Sequence, residues 1–216
     1  MSSARDDILG RVRQRIGRDP ADRAGAQERV ARTIAHPQSG PRPSYAGDLA
    51  ARFIERARAL ISTVDECPLA TDVPRRCAEW LRAQGLGGDI VVAPGLAHLD
   101  WLGAGLATRV GPATGSDLVG VTGCFRAIAE TGTLMLCSGA GSPAVNSLLP
   151  ETHIAVVQRA HIVADMEAAW HDARRELARW PRAVNLVSGP SRTADIEQTI
   201  VLGAHGPYRV HLVIVG

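Results

Sequence analysis

The last apolar segment of the chain limits the possible folds more than any other feature of the sequence. Residues 210–215 read Val-His-Leu-Val-Ile-Val, with almost no alternation between apolar and polar side chains. A strand with one face in water alternates, whereas an inner strand of a parallel sheet is covered on both faces and reads as a continuous apolar run. The segment therefore predicts a strand inside a parallel sheet whose two faces are both covered.

Five further apolar runs, separated by glycine-rich turns, also predict strands. They cover residues 90–92, 118–121, 133–137, 154–157 and 183–187. Apolar side chains at helical spacing predict helices around Phe53, Trp80 and Trp170. Strands that alternate with helices predict an α/β fold, with a mostly parallel sheet flanked by helices on both faces.

The front of the chain differs from the rest in composition. Residues 8–16 predict a short amphipathic helix, and residues 19–47 are rich in Pro, Gly, Arg and Ser, which predicts a mostly extended linker after a short helical stretch. We therefore place an N-terminal helix and linker in residues 1–47 and an α/β domain in residues 48–216. The net charge is +5 in residues 1–60 and −3 in the remainder, so the front end is basic.

All 24 basic residues are arginine, and the absence of lysine excludes several mechanisms. The chain cannot form an internal Schiff base with a carbonyl substrate or pyridoxal phosphate, and it has neither a P-loop lysine nor a Ser-Lys dyad. Any bound anion must be held by arginine, backbone amides and hydroxyl groups. Only 4% of the residues are aromatic, which argues against nucleic-acid binding by stacking.

Neither a membrane span nor a metal site is predicted. No apolar run approaches the roughly 18 residues of a spanning helix, and the start of the sequence lacks the residue order of a secretory signal, so we expect a cytoplasmic protein. Cys67, Cys77, Cys124 and Cys137 contain no C-x-x-C pair, and the histidines show no metal-ligand spacing. We expect buried or neutral thiols without disulfides.

Ligands of open α/β sheets collect outside the carboxyl ends of the strands, which directs attention to three loops. In the first, Glu130 is followed by Thr131, Gly132 and Thr133. The carboxylate could be a general base or a nucleophile, with the two hydroxyl groups beside it. The alternative is a tight turn in which Gly132 adopts a positive φ and the threonines bond to the backbone.

The second loop follows the run 133–137 and begins at Ser138. Gly139, Gly141 and Ala144 match the pattern G-x-G-x-x-A, whose backbone amides could hold an anion. A dinucleotide site needs a full helix after the glycines and an acidic residue at the end of the next strand, and the sequence lacks both. The loop is thus either an anion site or an unspecialised glycine turn.

The third loop contains Ser188, Gly189, Ser191, Arg192 and Thr193. The hydroxyl groups are potential donors, and the Arg192 guanidinium can bind a carboxylate or phosphate with two parallel hydrogen bonds. In the alternative interpretation Arg192 pairs with the nearby Asp195 or Glu197.

One histidine is a candidate acid/base residue because of its position in the sequence. His205 precedes Gly206-Pro207, just before the last predicted strand. It is either an acid/base group at the end of a loop or a hydrogen-bonded turn residue.

Three of these segments, taken in chain order, resemble the hallmark motifs of the LUD domain family. They are Ala-Glu-Thr-Gly-Thr at 129–133, Gly-Pro-Ser-Arg-Thr-Ala-Asp-Ile-Glu at 189–197 and Val-Leu-Gly-Ala-His-Gly-Pro at 201–207. Within that family the chain is most similar to the lactate utilisation protein C group. The resemblance is strongest over roughly residues 117–215.

The resemblance implies a fold related to the CoA-transferase, ribose-5-phosphate isomerase and glucosamine-6-phosphate deaminase (NagB/RpiA/CoA-transferase-like) group. It also implies a role in the oxidation of L-lactate to pyruvate, together with partner proteins that carry iron-sulfur clusters. On that basis the chain is an accessory subunit without a cluster or other cofactor of its own. Glu130, Ser191, Arg192 and His205 would frame an anion site, with Arg192 holding a small carboxylate.

Two other functions stay open at this point. One is a free-standing transferase or isomerase that uses Glu130 on an acyl or sugar-phosphate substrate. The other is an interaction module whose basic front end binds the acidic face of a partner. A homo-oligomer is compatible with all three.

Overall fold

The computed structural model describes residues 4–17, 21–36, 40–193 and 201–216 of the chain. The chain divides into two compact units, residues 1–42 and residues 43–216. The predicted domain boundary after residue 47 stays a prediction. In the described ranges, no helix is both long enough and apolar enough to span a membrane.

The first unit contains two helices, α1 (Ala4–Arg15) and α2 (Arg23–Ala35). α2 corresponds to the predicted helical stretch and, with 13 residues, is longer than expected, so less of residues 19–47 is extended. Asp22 caps this helix because its side chain accepts a hydrogen bond from the Gly25 backbone nitrogen at 2.9 Å. The helix is rich in Ala, Arg, Gln and Glu, all of which are good helix formers.

The second unit contains the remaining elements. Its helices are α3 (Leu49–Ala59), α4 (Val73–Ala83) and α5 (Met166–Glu176). Its strands are β1 (Thr63–Cys67), β2 (Asp89–Val92), β3 (Ala107–Val110), β4 (Val119–Gly123), β5 (Arg126–Ile128), β6 (Thr133–Cys137), β7 (Thr152–Gln158), β8 (Ile162–Val163), β9 (Val184–Val187), β10 (Arg192–Thr193), β11 (Val201–Leu202) and β12 (Arg209–Val215).

Six strands form the main sheet in the order β1-β12-β7-β4-β2-β3, and every neighbouring pair is parallel. β12 is an inner strand between β1 and β7, as its continuous apolar run predicts. The predicted α/β class with a mostly parallel sheet is confirmed. The likeness to the CoA-transferase-like group stays a prediction.

A second sheet of four strands, in the order β8-β5-β6-β9, holds two of the predicted strands. β6 pairs antiparallel with both β5 and β9. The reason is local, since only residues 129–132 join β5 to β6, and a connection this short permits an antiparallel hairpin but no parallel crossover.

Both faces of the main sheet are buried, but they are covered differently. Val213 and Val215 of β12 pack in a core cluster with Trp80 of α4 on one face. On the other face Leu212 and Ile214 pack with apolar residues of α3, β5 and β6. The outer face of the second sheet is covered by α5. One face of the main sheet therefore meets a helix and the second sheet together, where helices alone were expected.

A buried arginine fixes α5 to the second sheet. Nε of Arg126 donates to Oδ2 of Asp172 at 2.8 Å, and the same guanidinium pairs with Glu176 and stacks on the Phe125 ring. Because a buried guanidinium needs several partners to offset its desolvation, these carboxylates hold the helix against β5.

Two histidines lie in the main sheet with no exposed surface, His153 on β7 and His211 on β12. Nε2 of His153 bonds to Oγ1 of Thr122 at 2.9 Å, and Nδ1 of His211 bonds to Oγ1 of Thr63 at 2.9 Å. Burial lowers the pKa of His153 to about 4 and the pKa of His211 to about 3, because the charged imidazolium would lose its hydration.

We expect the free energy of unfolding to fall as the pH falls from about 6.5 to 4. The unfolded histidines take up protons near pH 6.5, while the folded ones stay neutral to lower pH, so each contributes a slope of up to about 1.4 kcal/mol per pH unit. His211→Phe, which keeps a ring against Trp80, should remove one such contribution in urea titrations at several pH values. The control variant is His98→Gln, which replaces an exposed histidine. If the free energy of unfolding of His211→Phe changes with pH as steeply as that of the control, this assignment is wrong.

Candidate functional site

Two of the three predicted loops meet near the C-terminal end of α3. A methyl group added to Gly132 would lie 2.6 Å from the Ala57 backbone nitrogen, and one added to Gly189 would lie 2.3 Å from the Leu60 carbonyl oxygen. Both glycines have positive φ values, +69° and +81°. Only glycine fits such a close approach in this conformation, so the two loops are seated directly on the helix backbone.

The position of this cluster differs from the predicted one. Leu60 follows α3 directly and leads into the start of β1, so the cluster lies at the amino end of the main sheet rather than at its carboxyl end. The Ser191 backbone nitrogen donates to the Pro207 carbonyl at 2.8 Å, just before β12 begins. The rule for parallel sheets does not apply to Glu130–Thr133 and Ser188–Thr193, because these loops belong to the second sheet or follow it.

Arg192 is exposed and bonds to the end of α3. Its Nη2 donates to the Leu60 carbonyl oxygen at 3.0 Å. Carbonyl groups at a helix C-terminus lack partners within the helix and carry partial negative charge, which favours a cation there. Asp195 and Glu197, the alternative partners of Arg192, lie outside the described residues.

Three hydroxyl groups form a chain between the first and third predicted loops. Oγ1 of Thr131 donates to Oγ1 of Thr133 at 2.7 Å, and Oγ1 of Thr133 lies 2.7 Å from Oγ of Ser188. Thr133 is buried, whereas Thr131 and Ser188 are exposed. The first and third predicted loops are therefore joined by side-chain hydrogen bonds as well as by their contacts with α3.

The predicted acid/base residues border the same region. The Glu130 backbone nitrogen donates to the Ala164 carbonyl at 2.9 Å, and its half-buried side chain has no hydrogen bond or ion pair in the described ranges. His205 is exposed, and Gly206 beside it packs near Ser191, where an added methyl group would lie 3.5 Å from Cβ. Thr193 is paired with Val201 in the β10–β11 ladder. Catalytic roles for Glu130 and His205 stay predictions.

The glycine loop lies apart from these residues. Ser138, Gly139 and Gly141 follow the far end of β6, which at about 3.4 Å per residue is about 14 Å from Thr133. The Gly95 backbone nitrogen, just after β2, donates to the Gly141 carbonyl at 2.9 Å. The loop therefore lies near the carboxyl end of β2, and the structure does not join it to the cluster around Arg192.

Ile61 is a site feature with no signal in the sequence. It has φ of +67° and is 57% exposed, directly after the Leu60 carbonyl that Arg192 contacts. A β-branched side chain in the left-handed region is strained, and such strain is concentrated at functional sites. Helical periodicity ends at Ile61, so the sequence alone indicates only an apolar residue on the face of α3.

The thiols of the chain are all free. Burial raises the pKa of Cys77 and of Cys124 to about 12 and raises those of Cys67 and Cys137 as well. Within the described ranges no three His, Cys, Asp or Glu side chains converge on a common point. The thiols are thus mainly protonated at neutral pH.

Gly132→Ala and Gly189→Ala should each lower the free energy of unfolding by about 2–4 kcal/mol, through left-handed strain and overlap with the α3 backbone. The matched control is Gly139→Ala, where an added methyl group meets nothing within 4 Å. Urea denaturation of the three variants tests this. A control that destabilises as much as the other two would show that the α3 contact is not the cause.

Ile61→Asn should raise the free energy of unfolding by about 0.5–1 kcal/mol, because asparagine tolerates the left-handed region and the exposed isoleucine loses little burial. Thermal and urea unfolding of the variant measure the change. A loss of stability would mean that the isoleucine side chain packs more than its exposure indicates.

A model of the LUD domain family matches residues 113–215 of the chain. The chain is 30% identical to "Lactate utilization protein C" of Bacillus licheniformis over 236 aligned positions, which cover 98% of this chain and 95% of that protein. It is 37% identical over 100 residues to the protein of the same name from Halalkalibacterium halodurans. The latter match covers 45% of this chain and spans only 44% of that relative's length.

The fold also has a counterpart among solved structures. A protein of the DUF162 family from Deinococcus radiodurans matches 81% of this chain and all of its own length, with a TM-score of 0.59. The two sequences are 23% identical, so the match shows a shared fold only.

Proposed function

Since the chain belongs to the LUD domain family, in the lactate utilisation protein C group, we propose that it takes part in lactate utilisation. Its role is that of an accessory subunit of a cytoplasmic iron-sulfur system that oxidises L-lactate to pyruvate. The observation that carries the proposal is the similarity to the Bacillus licheniformis protein over nearly the full length of both chains. The motifs in residues 129–133, 189–197 and 201–207 had indicated the same family, and that prediction is confirmed.

The chemistry divides between this chain and its partners. L-lactate loses two electrons and two protons in becoming pyruvate, and in the proposal the electrons pass to iron-sulfur clusters on the partner proteins. Among the described residues no three metal-ligating side chains gather at one place, which supports a chain that holds no cluster itself.

The cluster around Arg192 supports a site for a small carboxylate in this chain. One nitrogen of Arg192 donates to the Leu60 carbonyl oxygen. This hydrogen bond orients the guanidinium, and its other donors can bind a ligand. Ser188 adds an exposed hydroxyl group in the loop that meets the same end of α3. Without lysine in the chain, arginine is the side chain that can offer a carboxylate a permanent positive charge.

Arg192→Gln should weaken binding of L-lactate or pyruvate about 10-fold or more, the effect of losing a charge-assisted hydrogen bond pair. The matched control is Arg174→Gln on the exposed face of α5, which removes the same charge elsewhere. Isothermal titration of the purified chain, and of its complex, measures the affinity. The assignment of Arg192 is wrong if both variants bind like the unmodified chain.

The role in lactate oxidation has its own test. The chain is co-purified from its native cells, the iron-sulfur content of the co-purifying proteins is measured, and L-lactate-dependent reduction of a dye is followed with and without this chain. Reduction that needs the chain supports the proposal. Full activity of the partners alone, or no cluster protein in the complex, contradicts it.

A further inference from the structure

The buried hydroxyl group of Thr133 lies between the exposed hydroxyl groups of Thr131 and Ser188, and the hydrogen bonds that join the three have a defined donor and acceptor. Oγ1 of Thr133 accepts from Thr131 and lies 2.7 Å from Oγ of Ser188. Thr133 is only 3% exposed, so its own proton has no access to bulk water. A buried hydroxyl proton without an acceptor is costly. The Ser188 oxygen is the acceptor within reach, and Thr133 therefore donates to Ser188.

The end of the chain is then a donor. With its oxygen accepting from Thr133, the exposed Ser188 hydroxyl keeps its own proton for an outside acceptor. Successive hydrogen bonds of the same direction polarise one another, which makes the terminal O–H a better donor.

Arg192 contacts the same carbonyl group as the residue that follows this terminal donor. Gly189, the residue after Ser188, packs against the Leu60 carbonyl oxygen, and Nη2 of Arg192 donates to the same oxygen. Gly189 and Arg192 thus contact the same carbonyl oxygen, and Ser188, the residue before Gly189, lies at the same end of α3. Arg192 presents donors only, and the Ser188 hydroxyl offers its proton, an arrangement that favours a ligand group rich in acceptors.

We propose that Thr133 is a positioning residue that orients the Ser188 hydroxyl as a donor, so that the site selects an ionised carboxylate over its neutral amide. The proposal rests on the proposed function, since it assumes that a small carboxylate binds beside Arg192. To the proposed carboxylate site it adds Thr133, a buried residue that does not touch the ligand. It also explains why the site would prefer a carboxylate to an amide of nearly equal shape.

The test measures binding of L-lactate and of its neutral amide, L-lactamide, to the purified full chain and to the complex that it forms. Thr133→Val, which keeps the branched shape and removes the hydroxyl group, should weaken L-lactate binding about 5- to 10-fold. It should also narrow the preference for L-lactate over L-lactamide. Thr133→Ser should restore both, because it returns the hydroxyl group.

Two further variants serve as comparisons for Thr133→Val, one with a smaller expected effect and one with none. Thr131→Val removes only the first donor of the chain and should weaken binding about 2-fold through lost polarisation. Thr108→Val on β3 removes a threonine hydroxyl that bonds to the Leu106 carbonyl, away from the site, and should leave both affinities unchanged. Thermal unfolding of each variant confirms that it is folded.

The outcomes separate the proposal from the function on which it rests. If Thr133→Val binds L-lactate as the unmodified chain does while Arg192→Gln does not, the relay is wrong and the carboxylate site stands. If Thr133→Ser fails to restore binding, the branched shape matters rather than the hydroxyl group, and the relay is again wrong. If the unmodified chain binds neither L-lactate nor pyruvate, alone or in its complex, the relay and the carboxylate site are both overturned.

Discussion

The requirement that both faces of β12 be covered governs the rest of the structure. An inner strand with continuous apolar side chains needs an apolar layer on each side, since exposed side chains of this kind would forfeit about 25 cal/mol for every Å² left in water. α4 covers one face, and α3 with the second sheet covers the other. The second sheet then needs a cover of its own, which α5 provides. The cluster around Arg192 forms where the second layer is fitted against the end of α3.

Much of the strand content could be predicted from the sequence, because buried strands read as apolar runs whichever sheet they join. β1 and β3 could not, since they lie at the two edges of the main sheet and carry polar residues such as Asp65, Glu66 and Arg109. The division of the strands into two sheets could not be predicted from the sequence either. β6 is buried on both faces between α5 and the main sheet, so its run resembles that of an inner parallel strand.

The types of residue in the candidate site could be predicted from the sequence, but the location of the site in the fold could not. Glycines, hydroxyl groups and an arginine in loops indicated anion chemistry, and most of these residues do meet. The rule that placed them at the carboxyl end of a parallel sheet failed because their loops belong to a hairpin sheet. The glycine loop Ser138–Gly141, which does lie near the carboxyl end of β2, is the one that stands apart. Neither the Leu60 carbonyl nor the strained Ile61 could be foreseen, because a backbone conformation has no residue signature there.

The contacts of Gly132 and Gly189 with α3 make the assembly of the candidate site depend on folding. The helix end, the β5–β6 turn and the loop after β9 are far apart along the sequence, so they meet only after long loops have closed, a slow and entropically costly step. Partly folded forms that lack this step would have no assembled site and could not hold the proposed carboxylate. A ligand that binds only the completed arrangement adds its binding energy to the folded state. In a cell rich in such a ligand, the supply of the metabolite would therefore also protect the protein from unfolding and proteolysis.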